Sequence, residues 1–293
     1  MKVIVFGGSG FLGSHVADFL TQAGHDVTIF DSKQSPYLLP GQSMYAGDIL
    51  NPEQVLDAVG GHEIVYNFAG LADLDDATTR PVDTIRLNIE GNINILEACR
   101  MTDVKRFIYA STIYVYSDKG GFYRCSKQAS ETYIEEVNRK YGLDFTILRY
   151  GTLYGPRADE RNSIYRYLRE ALETGSVVCS GSGEEMREYI DVRDAARLSV
   201  DILDDGYKNQ HIIISGHYPM KFKEMILMIQ EILGKNIKIE FSAITNPDHY
   251  TYTPYSFTPK VGHKLVNHRY LDMGQGFLEC LHEINQKSGQ PPV

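Results

Sequence analysis

Short apolar runs alternate with amphipathic stretches from the start of the chain. Val3–Phe6, Asp26–Phe30, Ile64–Phe68, Phe107–Ala110 and Phe145–Leu148 are rich in β-branched or aromatic residues and bounded by Gly, Asn, Asp or Lys. Between them, the spacing of apolar positions predicts helices over Leu12–Ala23, Pro52–Val59, Ile89–Arg100 and Tyr123–Lys140. Continuously apolar strands are buried on both faces, and helices between them act as crossovers of a parallel sheet. Right-handed crossovers then make the expected fold class α/β, with a doubly wound parallel sheet.

The rhythm loosens after Tyr150. Helices are predicted at Asn162–Glu173, Val192–Leu203, Lys221–Leu233 and Met273–Gln286, and strands at Ser176–Cys179, His211–Ile214 and Ile237–Phe241. Glycine-rich joints such as Ser180–Gly183 separate them. The expected organisation is a first domain over 1–150, rejoined by segments at about 185–215, and a smaller mixed α/β lobe made mainly from 151–293. That lobe is expected to close over the carboxyl edge of the sheet.

Composition narrows the classes. The 293 residues are 43% hydrophobic, enough for a full core, and 38 acidic against 29 basic residues give a formal charge of −9. With no local run of Lys and Arg, nucleic acid is set aside as a partner. The four cysteines (Cys99, Cys125, Cys179, Cys280) form no Cys-x-x-Cys pair and suit a reducing compartment. The start of the chain lacks a signal-peptide pattern, and the longest apolar stretch, around Met225–Leu233, is too short to cross a bilayer. A soluble, cytoplasmic protein without a membrane partner is expected.

The first strand runs into Gly7-Gly8-Ser9-Gly10-Phe11-Leu12-Gly13. Glycines at 7, 10 and 13 allow a tight turn, close backbone approach to a pyrophosphate, and close helix–strand packing, and the helix N-terminus points NH groups at phosphate. This is the signature of a dinucleotide-binding Rossmann sheet when it joins a strand to a helix, as here. Asp31, at the end of the second strand, can accept both ribose hydroxyls and would repel a 2′-phosphate. The expected cofactor is therefore NAD, although Lys33 nearby tempers the preference over NADP. Asp48-Ile49 follows the third short strand; Asp48 could flank the adenine or cap the helix ahead of Pro52.

The fifth strand ends in Ala110-Ser111-Thr112, and a helix beginning near Tyr123 carries Lys127. Four apart on a helix, Tyr123 and Lys127 share a face. A phenol ordinarily titrates near pH 10, and a neighbouring ammonium together with a positive nicotinamide can bring it toward neutrality. The phenolate could then take a substrate hydroxyl's proton, with Thr112 holding that hydroxyl. Tyr-x-x-x-Lys alone is weak evidence in a chain with 20 tyrosines; its weight comes from following Ser111-Thr112 behind a dinucleotide loop.

Together these pieces resemble the extended short-chain dehydrogenase/reductases, the NAD-dependent sugar-nucleotide epimerase/dehydratase family. Further matching pieces are Asn67-Phe68-Ala69-Gly70, Asn88 leading Gly91 and Leu96-Glu97-Ala98, Tyr123-Arg124-Cys125-Ser126-Lys127, Leu148-Arg149-Tyr150 with Tyr154-Gly155-Pro156-Arg157, and Arg187-Glu188-Tyr189-Ile190-Asp191-Val192. The resemblance implies a catalytic trio of Thr112, Tyr123 and Lys127. It implies cofactor contacts from Phe68, Ala69, Gly70, Asn88, Ser111 and Tyr150, beside the glycine loop, Asp31, Asp48 and Ile49. It implies substrate contacts at Thr152 and Arg187, with Arg187 on the diphosphate of a nucleotide sugar; a salt bridge to Glu184, Glu185 or Glu188 is the plainer alternative. It also implies a homodimer paired through helices Ile89–Arg100 and Phe122–Lys140, with Ile93, Leu96, Ile134 and Val137 supplying core or interface, and a place in polysaccharide biosynthesis.

Three departures qualify the resemblance. Only ten residues separate Thr112 from Tyr123, so the loop that shelters the sugar is short. Ile113 and Tyr114 stand where the family's dehydratases carry an Asp-Glu pair, which argues against dehydration. Gly151-Thr152 replaces a Phe-Asn pair whose asparagine contacts substrate. Asp73, Asp75 and Asp76 read as a solvated loop in preference to a sugar site. Of the nine histidines, His211 with His217 and His263 with His268 lack a third ligand at suitable spacing, so no metal site is expected. The segment His249–Phe257, with Tyr250, Tyr252, Tyr255 and Phe257, reads as an edge strand in preference to a stacking surface. The expected activity is oxidation at C4 of a nucleotide sugar, as a 4-epimerase ahead of a net 4-dehydrogenase or 4-ketoreductase; a non-catalytic NAD-binding sensor fits least, because Tyr123 and Lys127 are kept.

Overall fold

The computed structural model describes residues 1–234, 237–242, 249–254, 262–266 and 270–288. The apolar runs form β1 (Lys2–Phe6), β2 (Asp26–Asp31), β3 (Gln42–Ala46), β4 (Ile64–Asn67), β5 (Arg106–Thr112) and β6 (Asp144–Tyr150). Their sheet has the order β3-β2-β1-β4-β5-β6, and every pairing is parallel. The order reverses between β1 and β4, and at such a switch point the strand ends splay to leave a ligand crevice.

Helices cover both faces. On one face α1 (Phe11–Gln22) lies beside a helix from much later in the chain, and Val16, Ala17 and Leu20 meet Ala195, Ala196, Leu198 and Ile202 over β1 and β2. On the other face α2 (Pro52–Val59), α3 (Leu74–Thr79), α4 (Pro81–Ile85), α5 (Gly91–Met101) and α6 (Gly121–Tyr141) complete the crossovers. Val55, Ile95, Leu96, Cys99 and Ile134 fill that second core. Leu96 and Ile134 are therefore core residues, fully buried within one chain, and do not form an interface.

β6 passes directly into β7 (Thr152–Tyr154), which starts the smaller lobe. There follow α7 (Ser163–Thr174), β8 (Ser176–Ser180), β9 (Met186–Arg187), β10 (Tyr189–Asp191), α8 (Val192–Asp201), β11 (Gln210–Ile214), β12 (Met220–Lys221), α9 (Phe222–Leu233), β13 (Lys238–Ser242), β14 (His263–Lys264) and α10 (Met273–Ser288). Leu168, Val177, Met225, Ile229, Phe277 and Leu281 build the lobe's own core. α8 is the helix that packs on α1, while β11 pairs with β6 and β14 with β11, so both strands extend the main sheet. At the crossing point a Cβ on Gly151 would stand 2.7 Å from the Ser215 Cβ. The close approach of these two segments explains why no phenylalanine occupies position 151.

Three local expectations are corrected. The Asp73–Asp76 stretch is not a solvated loop: Asp73 caps α3 by accepting from the Asp76 NH, with Asp75 and Asp76 in the first turn. The cap of α2 is Asn51, which accepts from Glu53 and Gln54, and not Asp48. Residues 249–254 form bends instead of an edge strand; Tyr255 and Phe257 lie outside the described residues, as does His268.

Candidate active site

The crevice begins at the glycine loop. Gly7 holds φ at +75°, and a Cβ there would lie 2.6 Å from the Ala69 N, so the first loop and the loop after β4 touch backbone to backbone. At Gly13 a Cβ would collide with the carbonyl oxygen of Gly7, which is how α1 starts so close under the turn. The N-cap of α1 is Gly10, which has no side chain to satisfy the first-turn NH groups. Those NH groups and the helix dipole suit a diphosphate. Asp31 orders this loop, accepting from the Ser9 NH at 3.1 Å and the Lys33 NH at 3.1 Å, one to each oxygen. Each oxygen keeps a lone pair for a ribose hydroxyl. The residues therefore fit NAD.

Several side chains expected at the cofactor have partners within the protein. Asn88 spends its amide on the loop after β4: it donates to the Leu71 carbonyl and the Ser126 hydroxyl, each at 2.9 Å, and accepts from the Leu71 NH at 2.7 Å. It holds Phe68, Ala69 and Gly70 in place and has no donor left for a ligand. Ser111 donates to Glu131 at 2.6 Å, and Glu131 forms a buried ion pair with Arg149 at 2.8 Å. The Tyr150 phenol is shared with the Ser199 hydroxyl at 2.6 Å inside the first core. Ile49 packs beneath Gly91, where a Cβ would meet it at 2.6 Å, and Asp48 is exposed and accepts from the Leu50 NH. Residue type and motif position located these side chains, but packing decided which way each one points.

At the end of β5 the three chemical residues converge. Thr112, Tyr123 and Lys127 are each less than a tenth exposed, and the Thr112 hydroxyl is close enough to the Tyr123 phenol to oppose the effect of burial on it. The Lys127 ammonium donates to the Ala110 carbonyl at 2.8 Å and lies 5.7 Å from the centre of the Tyr123 ring. Burial brings Lys127 down to about 8, against the opposing charge of Glu131. Burial pushes Tyr123 up to about 12, against the lowering influence of the Thr112 hydroxyl. The lysine alone, directed at a carbonyl, does not offset the desolvation of the phenol; the sequence reading invoked it together with a positive nicotinamide.

On the lobe side, Arg187 forms no salt bridge with Glu184, Glu185 or Glu188 among the described ion pairs: Glu184 takes Lys221 and Lys223, and Glu188 takes Lys264. Its guanidinium lies 4.2 Å above the Tyr250 ring. The Tyr250 phenol, raised by burial, is lowered in part by the nearby Arg187 charge and Thr152 hydroxyl. Tyr250, which sequence reasoning placed in an edge strand, is thus the ring that supports Arg187. The one signal was its place in a tyrosine-rich stretch. Beside it, between the 115–119 connection and residues 250–254, is a cavity of about 550 Å³ lined by Lys119, Arg124, Gln128 and Tyr252.

A dinucleotide loop at the switch point of a doubly wound sheet, with Thr, Tyr and Lys converging one strand away, defines a nicotinamide-dependent enzyme of the short-chain dehydrogenase type. The chain belongs to the NAD dependent epimerase/dehydratase family, whose model matches residues 3–215. It is 28% identical over 264 residues to a UDP-N-acetyl-alpha-D-glucosaminuronate decarboxylase of Bacillus cytotoxicus, covering 81% of this chain and 82% of the relative. It is 28% identical over 255 residues to a putative UDP-glucose 4-epimerase of Methanocaldococcus jannaschii, covering 79% and 82%. The fold matches the Thermotoga maritima UDP-glucose 4-epimerase crystallised with UDP-glucose, with a TM-score of 0.84 at 24% identity over 98% of this chain and 100% of that one. No helix among the described residues is long and apolar enough to cross a membrane.

Proposed function

We propose that this protein is a sugar-nucleotide 4-epimerase that keeps NAD bound through turnover. The observation that carries the reading is the buried Thr112–Tyr123–Lys127 group at the carboxyl end of β5, beside the glycine loop. NAD supplies, when bound, a hydride acceptor that can return the hydride, and a positive charge. Thr112 fixes the distance of the sugar's C4 hydroxyl, and Tyr123 takes its proton as the carbon is oxidised. Lys127 holds positive charge behind the phenol. After the 4-keto sugar has turned over, return of the hydride to the opposite face of C4, with reprotonation of the oxygen by Tyr123, gives the inverted alcohol. Ile113 and Tyr114 offer no carboxylate to expel water, so 4,6-dehydration is not part of the reading. Arg187, held by its stacking on Tyr250 and free of a carboxylate partner among the described ion pairs, is assigned to the diphosphate, where a planar guanidinium binds in bidentate fashion. Thr152 is assigned to the sugar side, Asp31 to the adenosine ribose, and the backbone of 68–70 and of Tyr150 to the cofactor.

A second reading is favoured by the decarboxylase relative: the same oxidation at C4 of a uronic acid, followed by loss of the carboxylate. A panel of nucleotide sugars separates the readings, with NADH absorbance, carbon dioxide release and product stereochemistry followed together. Inverted product without net NADH supports the epimerase; net NADH with a released keto sugar would refute it. Tyr123→Phe should lower turnover by about 10² to 10⁴, the usual worth of a general base, and unchanged turnover would refute the mechanism.

The reading places the protein in the cytoplasm, in nucleotide-sugar supply for polysaccharide synthesis, as a homodimer. The dimer rests on large exposed side chains of α5 and α6, Met101, Tyr133 and Tyr141; a monomeric mass in light scattering would refute it.

A further inference from the structure

The ten-residue connection between Thr112 and Tyr123 raises the question of what walls the sugar in. After Thr112 the chain makes one tight turn, Ile113–Tyr116, which carries Tyr114. The return to α6 passes through Gly120 and Gly121, both at positive φ (+92° and +48°). A Cβ at Gly120 would lie 2.7 Å from the Tyr114 ring, so the glycine is what lets the ring lie against the backbone. Tyr114 packs on the small cluster of Leu71, Ala77 and Tyr123. On its other side the ring centre is 4.9 Å from that of Tyr250, and the Tyr114 hydroxyl and His249 Nδ1 share a hydrogen bond at 2.9 Å.

From Tyr123 through Tyr114 and Tyr250 to Arg187 the contacts are continuous. The first is the base proposed for the sugar hydroxyl, and the last is the cation proposed for the diphosphate. A hexose joined to that diphosphate must bridge the two, and the rings between them are Tyr114, on the Tyr123 side, and Tyr250, beneath Arg187. We infer that Tyr114 is the specificity-determining wall of the sugar subsite. It takes the apolar CH face of a pyranose and is held in place by Gly120, Tyr250 and His249. The wall rests on the functional reading above, and it divides recognition: Arg187 answers to the phosphates, Tyr114 to the hexose.

The test compares Tyr114→Ala, Tyr114→Phe and Tyr114→Leu with the wild type, all loaded with NAD. Binding of UDP-glucose, UDP-glucuronate and UDP-N-acetylglucosamine is measured by calorimetry, each against UDP. In the wild type at least one sugar nucleotide should bind more tightly than UDP. Tyr114→Ala should weaken that sugar nucleotide about tenfold, equivalent to roughly 1.4 kcal/mol, while UDP changes less than about twofold. Tyr114→Phe, which keeps the ring, should retain most of the preference. Tyr114→Leu supplies the same test with apolar volume kept, should the alanine variant fold poorly. Equal weakening of UDP and the sugar nucleotide, an unchanged ratio, or no wild-type preference for any of the three sugars would overturn the inference. Tight binding without an inverted product would instead overturn the reading of the reaction and leave the wall standing.

Discussion

Replacing Lys127 by Met separates what this side chain costs the fold from what it does in the site. Its ammonium is buried, with the Ala110 carbonyl as hydrogen-bond acceptor, and burial lowers it from 10.5 to about 8. Each pKa unit corresponds to about 1.4 kcal/mol, so keeping the charged form folded costs roughly 3 kcal/mol. The sign follows from proton counting. Between pH 8 and 10.5 the unfolded lysine carries a proton that the folded one has released, so stability rises with pH across that window. The gain is absent below pH 8, where both states are protonated. Buried tyrosines such as Tyr66, raised by desolvation, pull the other way at high pH, but they do so equally in both proteins. The wild-type minus variant difference therefore isolates Lys127. Urea unfolding at pH 7, 8, 9 and 10 should show that difference shifting toward the wild type by about 1 kcal/mol at pH 9 and roughly 2 to 3 at pH 10. A difference that stays flat across the series would refute a buried, depressed amine. An amine kept at such a cost beside a buried phenol is the pattern of a functional site.

Three further outcomes follow from neighbouring contacts. Gly13→Ala should abolish tight NAD binding, because the added methyl meets the Gly7 carbonyl oxygen; cofactor content of the purified variant by absorbance checks it. Asn88→Ala removes three buried hydrogen bonds to Leu71 and Ser126, at about 1 to 3 kcal/mol for each polar group left unmet. It should lower the melting temperature and weaken NAD binding together; weakened NAD binding at unchanged stability would assign Asn88 to the ligand instead. Glu131→Gln leaves the Arg149 guanidinium buried without its carboxylate, a change that costs about 3 to 5 kcal/mol. It should also move the Lys127 titration further below about 8, since the Glu131 charge is what raises it; an unmoved titration would break that link.

Much of the fold was legible because its signals are local. Continuous apolar runs such as Val3–Phe6 and Phe145–Leu148 can only be strands buried on both faces, and the helices between them force parallel pairing. The glycine loop and the Tyr123–Lys127 spacing are equally local, four residues on one helix face and seven on one turn. What stayed hidden depends on which way a polar side chain turns once elements pack. Asn88 and Ser111 stand at expected motif positions, yet one clamps a loop and the other feeds the Glu131–Arg149 pair. Asp48 sits ahead of α2, but Asn51, immediately before Pro52, is the residue that can reach the first-turn NH groups.

The substrate side was least legible for a related reason. Arg187 was found by its motif, but the ring beneath it comes from a bent segment after β13 whose alternating tyrosines pointed to an edge strand. From the sequence, the short connection before Tyr123 was compatible with a site left open or closed by other segments. In the structure the same shortness brings Tyr114 back over Gly120 and into contact with Tyr250. A longer connection could cover the site with its own residues. A ten-residue one can only turn back on itself, so the cover has to come from the turn and from the lobe that meets it. The length of a loop thus fixes how much chain is at hand, while closure depends on which side chain its glycines let through.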